Sequence, residues 1–384
     1  MIRIETLTEA AMKFLSFLIK PASGRCNLRC RYCFYHDISE QREAHDLGMM
    51  SAETLELLVR EGMALAEEQI SFMFQGGEPM LRGLDFYRKL IDLEKQYARP
   101  GLRIAHAIQT NGTLITEEWA DFFREHHFLV GLSLDGTREL HDGNRVDAAG
   151  RGSWNAAVRG LEILKKKQVD FNLLCVVTGA AARRGQAAYQ SLKKLGGQFL
   201  QFIPCLDPLE EARGSHPFSL SPERYGRFLN TVFDQWYHDW ATGRYISVRL
   251  FEDYVRLLAG QPAGTCATTG NCGQYFVVEG DGSVYPCDFF VLDQFRMGKL
   301  GEQTLAELAQ SELAGAFCAR GRGFPAQCAG CQWLPLCGGG CQRDWIGLDR
   351  NYQCEALRTF FAYAYPRLSR IAALERQASR ALRV

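Results

Sequence analysis

The sequence predicts an α/β protein built on a parallel sheet, with a cysteine-rich part behind it. Three observations carry this. Strand-like apolar runs alternate with helical patterns through residues 14–205. Polar and glycine residues follow those runs, where the C-terminal strand ends of a parallel sheet gather their active sites. Fourteen cysteines fall mostly in clusters. At 384 residues the chain is longer than one ordinary domain and fits a barrel with an appendage.

The strand runs are FLSFLIKP (14–21), QISFMFQ (69–75), RIAHAIQ (103–109), FLVGLSL (128–134), FNLLCVVT (171–178) and FLQFIPC (199–205). Helical patterns separate them. Ser51 is a suitable N-cap for a helix that puts Leu55, Leu58, Val59 and Met63 on one face. LDFYRKLIDLEKQY, EEWADFFREH, WNAAVRGLEILKK and AAYQSLKKL supply the others. Each of the first four strand runs then meets a polar edge: CNLRCRYC after the first, Gly76-Gly77-Glu78-Pro79 after the second, Gln109-Thr110-Asn111-Gly112 after the third, Ser133 and Asp135 after the fourth. Either tetrapeptide alone is an ordinary turn signal. Together, behind a cysteine cluster, they describe one rim.

From about residue 206 the character changes. A loop-like segment (207–222) leads to an aromatic helix, YGRFLNTVFDQWYHDW, whose spacing suits a core face. YFVVEGDGSVYPC reads as a hairpin turning at Gly280-Asp281-Gly282, and a helical tail closes the chain. We expect residues 1–235 to form the barrel unit and residues 236–384 the cysteine-rich unit.

Hydrophobic residues make up 47% and charged ones 23%, with 44 basic and 44 acidic side chains. Zero formal charge gives no nucleic-acid footprint and no polybasic membrane patch. Glu5 and Glu9 break the layout of a signal peptide, and no run approaches the roughly 20 apolar residues of a spanning helix. The expected location is the cytoplasm. Disulfides do not suit that compartment. Cys175, in a strand run, reads as a buried structural thiol, as does Cys318.

CNLRCRYC places three cysteines, Cys26, Cys30 and Cys33, within eight residues. A structural zinc site or a fully ligated iron–sulfur cluster takes four ligands. Three thiolates on a [4Fe–4S] cluster leave one iron free for a small molecule that chelates through an amine and a carboxylate. A three-cysteine zinc site with bound water is the rival arrangement.

The spacing C-x3-C-x-aromatic-C, with Tyr32 before Cys33, resembles the radical S-adenosylmethionine (SAM) signature, and GGEP resembles that family's SAM-amine motif. The resemblance implies a partial (β/α)6 TIM-like barrel. It implies a [4Fe–4S] cluster on Cys26, Cys30 and Cys33, with SAM on the open iron. Tyr32, Gly77, Glu78, Thr110, Asn111, Ser133, Asp135 and Arg145 lie where family members contact SAM. Arg145 equally suits an ordinary surface ion pair. The later cysteines resemble a SPASM extension with two auxiliary [4Fe–4S] clusters. By that resemblance Cys266, Cys272, Cys287 and Cys341 hold the first, Cys328, Cys331, Cys337 and Cys354 the second, and Cys318 is left over. A pair of zinc ribbons is the alternative.

KPASGRCNLRCRYCFYHD, FQGGEPML, IQTNGTLI, FLVGLSLDG, FNLLCVVT, LQFIPCLDPL and VVEGDGSVYPCDFFVLD together resemble the anaerobic sulfatase-maturating enzymes. That family oxidises a cysteine or serine in a C/S-x-P/A-x-R segment to Cα-formylglycine. The resemblance implies an unfolded or nascent sulfatase as substrate and an electron donor such as flavodoxin or ferredoxin. It implies Asp288 as the base that takes the substrate's proton, near Tyr35. From position alone, Asp288 suits a strand-end turn equally well. His36, His45 and His141 need no ligand role; surface or hydrogen-bonding positions suffice. The competing readings are a SPASM maturase that modifies or crosslinks another ribosomal peptide, a non-catalytic iron–sulfur carrier, and a zinc-stabilised binding module.

Overall fold

The computed structural model describes residues 12–381. Glu5 and Glu9 lie outside that range. Six strands, β1 (Met12–Ile19), β2 (Ala66–Phe74), β3 (Arg103–Thr110), β4 (Phe128–Ser133), β5 (Phe171–Val177) and β6 (Phe199–Pro204), follow one another in the sheet, all parallel. Helices connect them: α1 (Phe34–Glu40), α2 (Ala52–Leu65), α3 (Leu84–Tyr97), α4 (Glu117–Glu125), α5 (Arg138–Asp142), α6 (Trp154–Lys167), α7 (Gly179–Ala182) and α8 (Gly185–Lys194). Parallel neighbours require such crossovers, and apolar helix faces cover the strands.

Local chemistry explains the elements. The Ser51 hydroxyl accepts the Thr54 N–H at 3.1 Å, capping α2, and Leu55, Leu58, Val59 and Met63 are buried as their spacing predicts. Helix α4 starts at a Thr116 cap and buries Trp119, Phe122 and Phe123, the two phenylalanines packing on Phe128 of β4. Each such aromatic contributes about 2–3 kcal/mol by leaving water. Cys175 is fully buried in β5.

Helix α9 (Pro222–Ala241) runs unbroken through residue 235, where the sequence suggests a division. After it, β7 (Ser247–Val248) joins the sheet beside β6, and α10 (Arg249–Leu258) follows. The aromatic face of α9 is core: Phe233 packs on Phe251 of α10 and on Phe360 of the C-terminal helix Cys354–Ala381. Gly226 lets that helix approach closely, since a Cβ there would lie 3.3 Å from Ala356.

The predicted hairpin forms as β8 (Phe276–Val278) and β9 (Ser283–Tyr285), extended by β10 (Gly298–Lys299). It does not stand apart. Strand β8 pairs in parallel with β1, Phe17 opposite Phe276 and Ile19 opposite Val278, so one ten-stranded sheet runs through both parts. The ends of that sheet, β10 and β7, stay unjoined, so the barrel is partial. Pairing β8 to β1 brings residues near 280–290 over the C-terminal end of β1. Among the described residues, no helix is long and apolar enough to cross a membrane.

Candidate active site at the barrel mouth

The loop after β1 carries Cys26, Cys30 and Cys33, all partly exposed and within electrostatic range of one another. The Arg29 and Arg31 amides brace this loop on the carbonyls of Val146 and Asn144 at 2.6 and 3.0 Å. Burial pushes the Cys26 thiol up to about 11 and the Cys30 thiol up to about 12. Neutral thiols in such a site release protons when a metal binds.

The second strand's edge closes on this loop. The Glu78 amide donates to the Arg25 carbonyl at 2.8 Å. Gly77 has φ +54° and lies so close that a Cβ would stand 2.1 Å from that oxygen. At Gly76, φ +102°, a Cβ would strike the Lys20 side chain. The Glu78 carboxylate turns inward. It accepts the Met80 amide at 3.1 Å, the Thr110 hydroxyl at 2.8 Å and the Asn111 amide at 2.9 Å. Burial pushes its carboxyl up to about 7 against those three donors. Glu78 and Thr110 thus clasp two edges of the rim through their side chains. Asn111 Nδ2 donates to Asn27 Oδ1 at 2.8 Å and lies 3.8 Å from Cys26 Sγ. Ser133 Oγ accepts from Gln109 at 3.0 Å, and both are partly exposed.

Asp135 is a buried hub. It receives the Tyr32 hydroxyl, Arg145 Nε at 3.1 Å and the Val176 amide at 3.0 Å. Arg145 is therefore buried against Asp135 instead of pairing at the surface. The Tyr32 ring, Asp135 and Arg145 act on each other and fix the loop between Cys30 and Cys33. His141 is fully buried; its Nδ1 takes the Asp135 amide and its Nε2 meets Ser153. Burial depresses it to about 4. His36 and His45 are exposed.

Asp288 is buried beside Cys287, with Oδ1 paired to Lys20 and Oδ2 accepting from Gln75 at 2.9 Å. The Lys20 ammonium lies 3.7 Å above the Tyr35 ring. The Tyr35 hydroxyl donates to Glu279, which also pairs with Arg42 at 2.9 Å. Burial and the Glu279 charge push the Tyr35 phenol well above its ordinary value. Lys20, Gln75, Glu279 and Arg42 escaped the sequence reading. Lys20 and Gln75 had a legible signal, a polar residue ending an apolar strand run. Glu279 and Arg42 had none.

The remaining thiols form two groups. Cys266, Cys272, Cys287 and Cys341 share one electrostatic neighbourhood. Cys328, Cys331, Cys337 and Cys354 share another and line a cavity of about 340 Å³. Cys318 is half-buried, next to Cys272, so it is not the sequestered core thiol its sequence context suggests. Among the described residues, no three His, Cys, Asp or Glu side chains converge on a single metal ion. The cavity lined by Cys328, Cys331, Cys337 and Cys354 has room that suits a multi-iron cluster better than a single zinc ion.

Comparison with known proteins accords with this arrangement. Residues 21–181 match the radical SAM superfamily, and residues 266–332 match the SPASM iron-sulfur cluster-binding domain. The chain is 45% identical to a cysteine-type anaerobic sulfatase-maturating enzyme of Clostridium novyi (strain NT), over 94% of this chain and 98% of that protein. It is 36% identical to a serine-type anaerobic sulfatase-maturating enzyme of Klebsiella aerogenes, over 90% of this chain and 84% of that protein. A solved structure, native anSMEcpe with bound AdoMet and Cp18Cys peptide, superimposes with a TM-score of 0.89 at 43% identity, covering 94% of this chain and 99% of that one. The protein described here belongs to the anaerobic sulfatase-maturating enzymes, within the radical SAM superfamily.

Proposed function

We propose that this protein oxidises a cysteine in a C-x-P-x-R segment of an unfolded sulfatase to Cα-formylglycine without oxygen. The observation that carries the reading is the meeting of Asp288, Lys20 and Gln75 at the C-terminal ends of β1 and β2, the edge from which the three-cysteine loop also departs. Cysteine as the substrate residue is supported by the higher identity to the cysteine-type relatives.

In this reading Cys26, Cys30 and Cys33 would hold a [4Fe–4S] cluster whose remaining open site would take SAM. The main chain at Gly77 and Glu78 meets the SAM amine, and Ser133 lines the same mouth. Tyr32, Thr110, Asn111, Asp135 and Arg145 act by fixing the loops that bind. When bound, cluster and SAM together supply a 5′-deoxyadenosyl radical, an agent able to take hydrogen from an unactivated Cβ. Asp288 accepts the substrate's thiol proton. Lys20 and Gln75 hold that carboxylate, one oxygen each, and the Tyr35 ring seats the Lys20 ammonium. The thiol group that includes Cys287, the neighbour of Asp288, would hold a redox cluster able to supply the electron acceptor that this oxidation needs. Cys266, Cys272, Cys287 and Cys341 hold one auxiliary cluster. Cys328, Cys331, Cys337 and Cys354 hold the other. The resulting thioaldehyde hydrolyses to formylglycine and sulfide. Flavodoxin or ferredoxin serves as electron donor, in the cytoplasm.

The test is anaerobic incubation of the reconstituted protein with SAM, a reductant and paired peptides bearing C-x-P-x-R or S-x-P-x-R. An aldehyde trapped from the cysteine peptide supports the reading. Deoxyadenosine formation with neither peptide changed would shift it to a different peptide substrate.

A further inference from the structure

The dipeptide after Cys341, Gln342-Arg343, has no part in the chemistry above. Gln342 is buried, and its Nε2 donates to Cys272 Sγ at 3.1 Å. Gly321, near the end of the helix Glu312–Arg322, makes room for that contact. A Cβ there would stand 2.5 Å from Cys272 Sγ and 2.8 Å from Gln342 Nε2. The Arg343 amide donates to Cys341 Sγ at 3.4 Å. Its guanidinium is 1% exposed and gives one hydrogen bond, Nη2 to the Asp207 carbonyl at 2.7 Å. Among the described residues, Nε and Nη1 have no partner, an uncommon state for a buried cation. Two consecutive residues thus bring a side-chain amide and a main-chain amide to one thiol group, and the Arg343 guanidinium there faces both Cys341 and the opposing Asp344 carboxylate. The second group differs. Among the described residues, no side-chain donor is hydrogen-bonded to Cys328, Cys331, Cys337 or Cys354; Cys337 takes a main-chain amide, and the Arg358 cation acts on Cys354 without a hydrogen bond to it.

We propose that Gln342 and Arg343 are positioning residues that raise the reduction potential of the cluster held by Cys266, Cys272, Cys287 and Cys341, making it the acceptor of the substrate's electron. The inference rests on the function proposed above. A reduced cluster carries one more negative charge than an oxidised one. Donors and a cation at its sulfurs favour the reduced form. The balance of the step requires such an acceptor. The substrate Cβ–H bond breaks with its hydrogen passing to the deoxyadenosyl carbon, and the S–H bond breaks with its proton passing to Asp288. One electron then reduces the oxidised cluster as the carbon–sulfur double bond forms.

The experiment is a potentiometric titration of the three-cluster protein followed by electron paramagnetic resonance. The signal is assigned by its loss in Cys272→Ala. In Gln342→Leu and Arg343→Gln, the reduced-to-oxidised ratio of this cluster at fixed potential should fall about tenfold, equivalent to about 59 mV. Arg343→Lys, which keeps the charge, should stay within about twofold of wild type, and the second auxiliary cluster should not move. Deoxyadenosine formed per formylglycine should rise in the first two variants. An unchanged ratio in both, with full iron and sulfide content, overturns the proposal, as does an equal shift at both auxiliary clusters. Should neither variant hold its clusters, wild-type protein labelled with side-chain ¹⁵N-glutamine decides. A nitrogen coupling on the reduced cluster supports the Gln342 contact, and its absence overturns it. Loss of formylglycine formation by wild type would remove the function reading without touching the potentials.

Discussion

Replacing Glu78 with glutamine tests the clasp between the second and third strand edges. The wild-type carboxylate is 1% exposed and takes three donors, from Met80, Thr110 and Asn111. Burial raises its folded value to about 7 from an ordinary 4.5. Folding therefore favours the protonated form. Glu78 contributes most to stability below pH 4.5, and that contribution falls as pH rises to about 7, then levels off. The gap corresponds to about 3 kcal/mol. A glutamine does not titrate, but its amide hydrogens face at least one of the three donors, at a cost of about 1–3 kcal/mol independent of pH. Anaerobic urea unfolding of both proteins, followed by circular dichroism between pH 5 and pH 8, separates the two effects. The advantage of wild type over Glu78→Gln should shrink by about 2–3 kcal/mol across that range. An advantage that stays constant would refute the buried, titrating clasp. The variant should also cleave SAM more slowly, because Asn111, fixed by Glu78, sits against Cys26.

Three other outcomes follow from the same geometry. Asp288→Asn should keep SAM cleavage and lose formylglycine about 10²–10⁴-fold, measured by peptide mass spectrometry; wild-type yield would remove Asp288 as the base. Lys20→Met leaves a buried carboxylate without its cation. It should cost about 3–5 kcal/mol in urea unfolding, largely recovered in Lys20→Met with Asp288→Leu. Replacing Cys26, Cys30 and Cys33 together by alanine should abolish deoxyadenosine formation while iron analysis still finds the other two clusters. Continued deoxyadenosine formation would contradict the assignment.

Much of the barrel was legible because its signals are local. Apolar runs, the Ser51 cap and the helix faces each depend on a few adjacent residues, and β1–β6 formed within a few residues of their predicted bounds. The CNLRCRYC, GGEP and TNG edges were legible for the same reason. The hairpin was legible as a hairpin, but its partner was not. Three residues of β8 pair with β1 across more than 250 positions of sequence, and no local pattern encodes that. The charged cluster of Lys20, Asp288, Tyr35, Glu279 and Arg42 exists because of that pairing, so Glu279 and Arg42 stayed hidden. The roles of Glu78 and Arg145 were hidden differently. Their residue types suit ligand contact, while their side chains turn to protein partners that only the fold supplies.

The central claim is that hydrogen leaves the substrate cysteine Cβ at a mouth built from the three-cysteine loop and Asp288. The most direct measurement uses a C-x-P-x-R peptide deuterated at the cysteine Cβ, incubated anaerobically with the reconstituted protein, SAM and reductant. The account predicts deuterium in the 5′-deoxyadenosine, one equivalent per formylglycine formed. Formylglycine with unlabelled deoxyadenosine, or labelled deoxyadenosine with no aldehyde in the peptide, would contradict it.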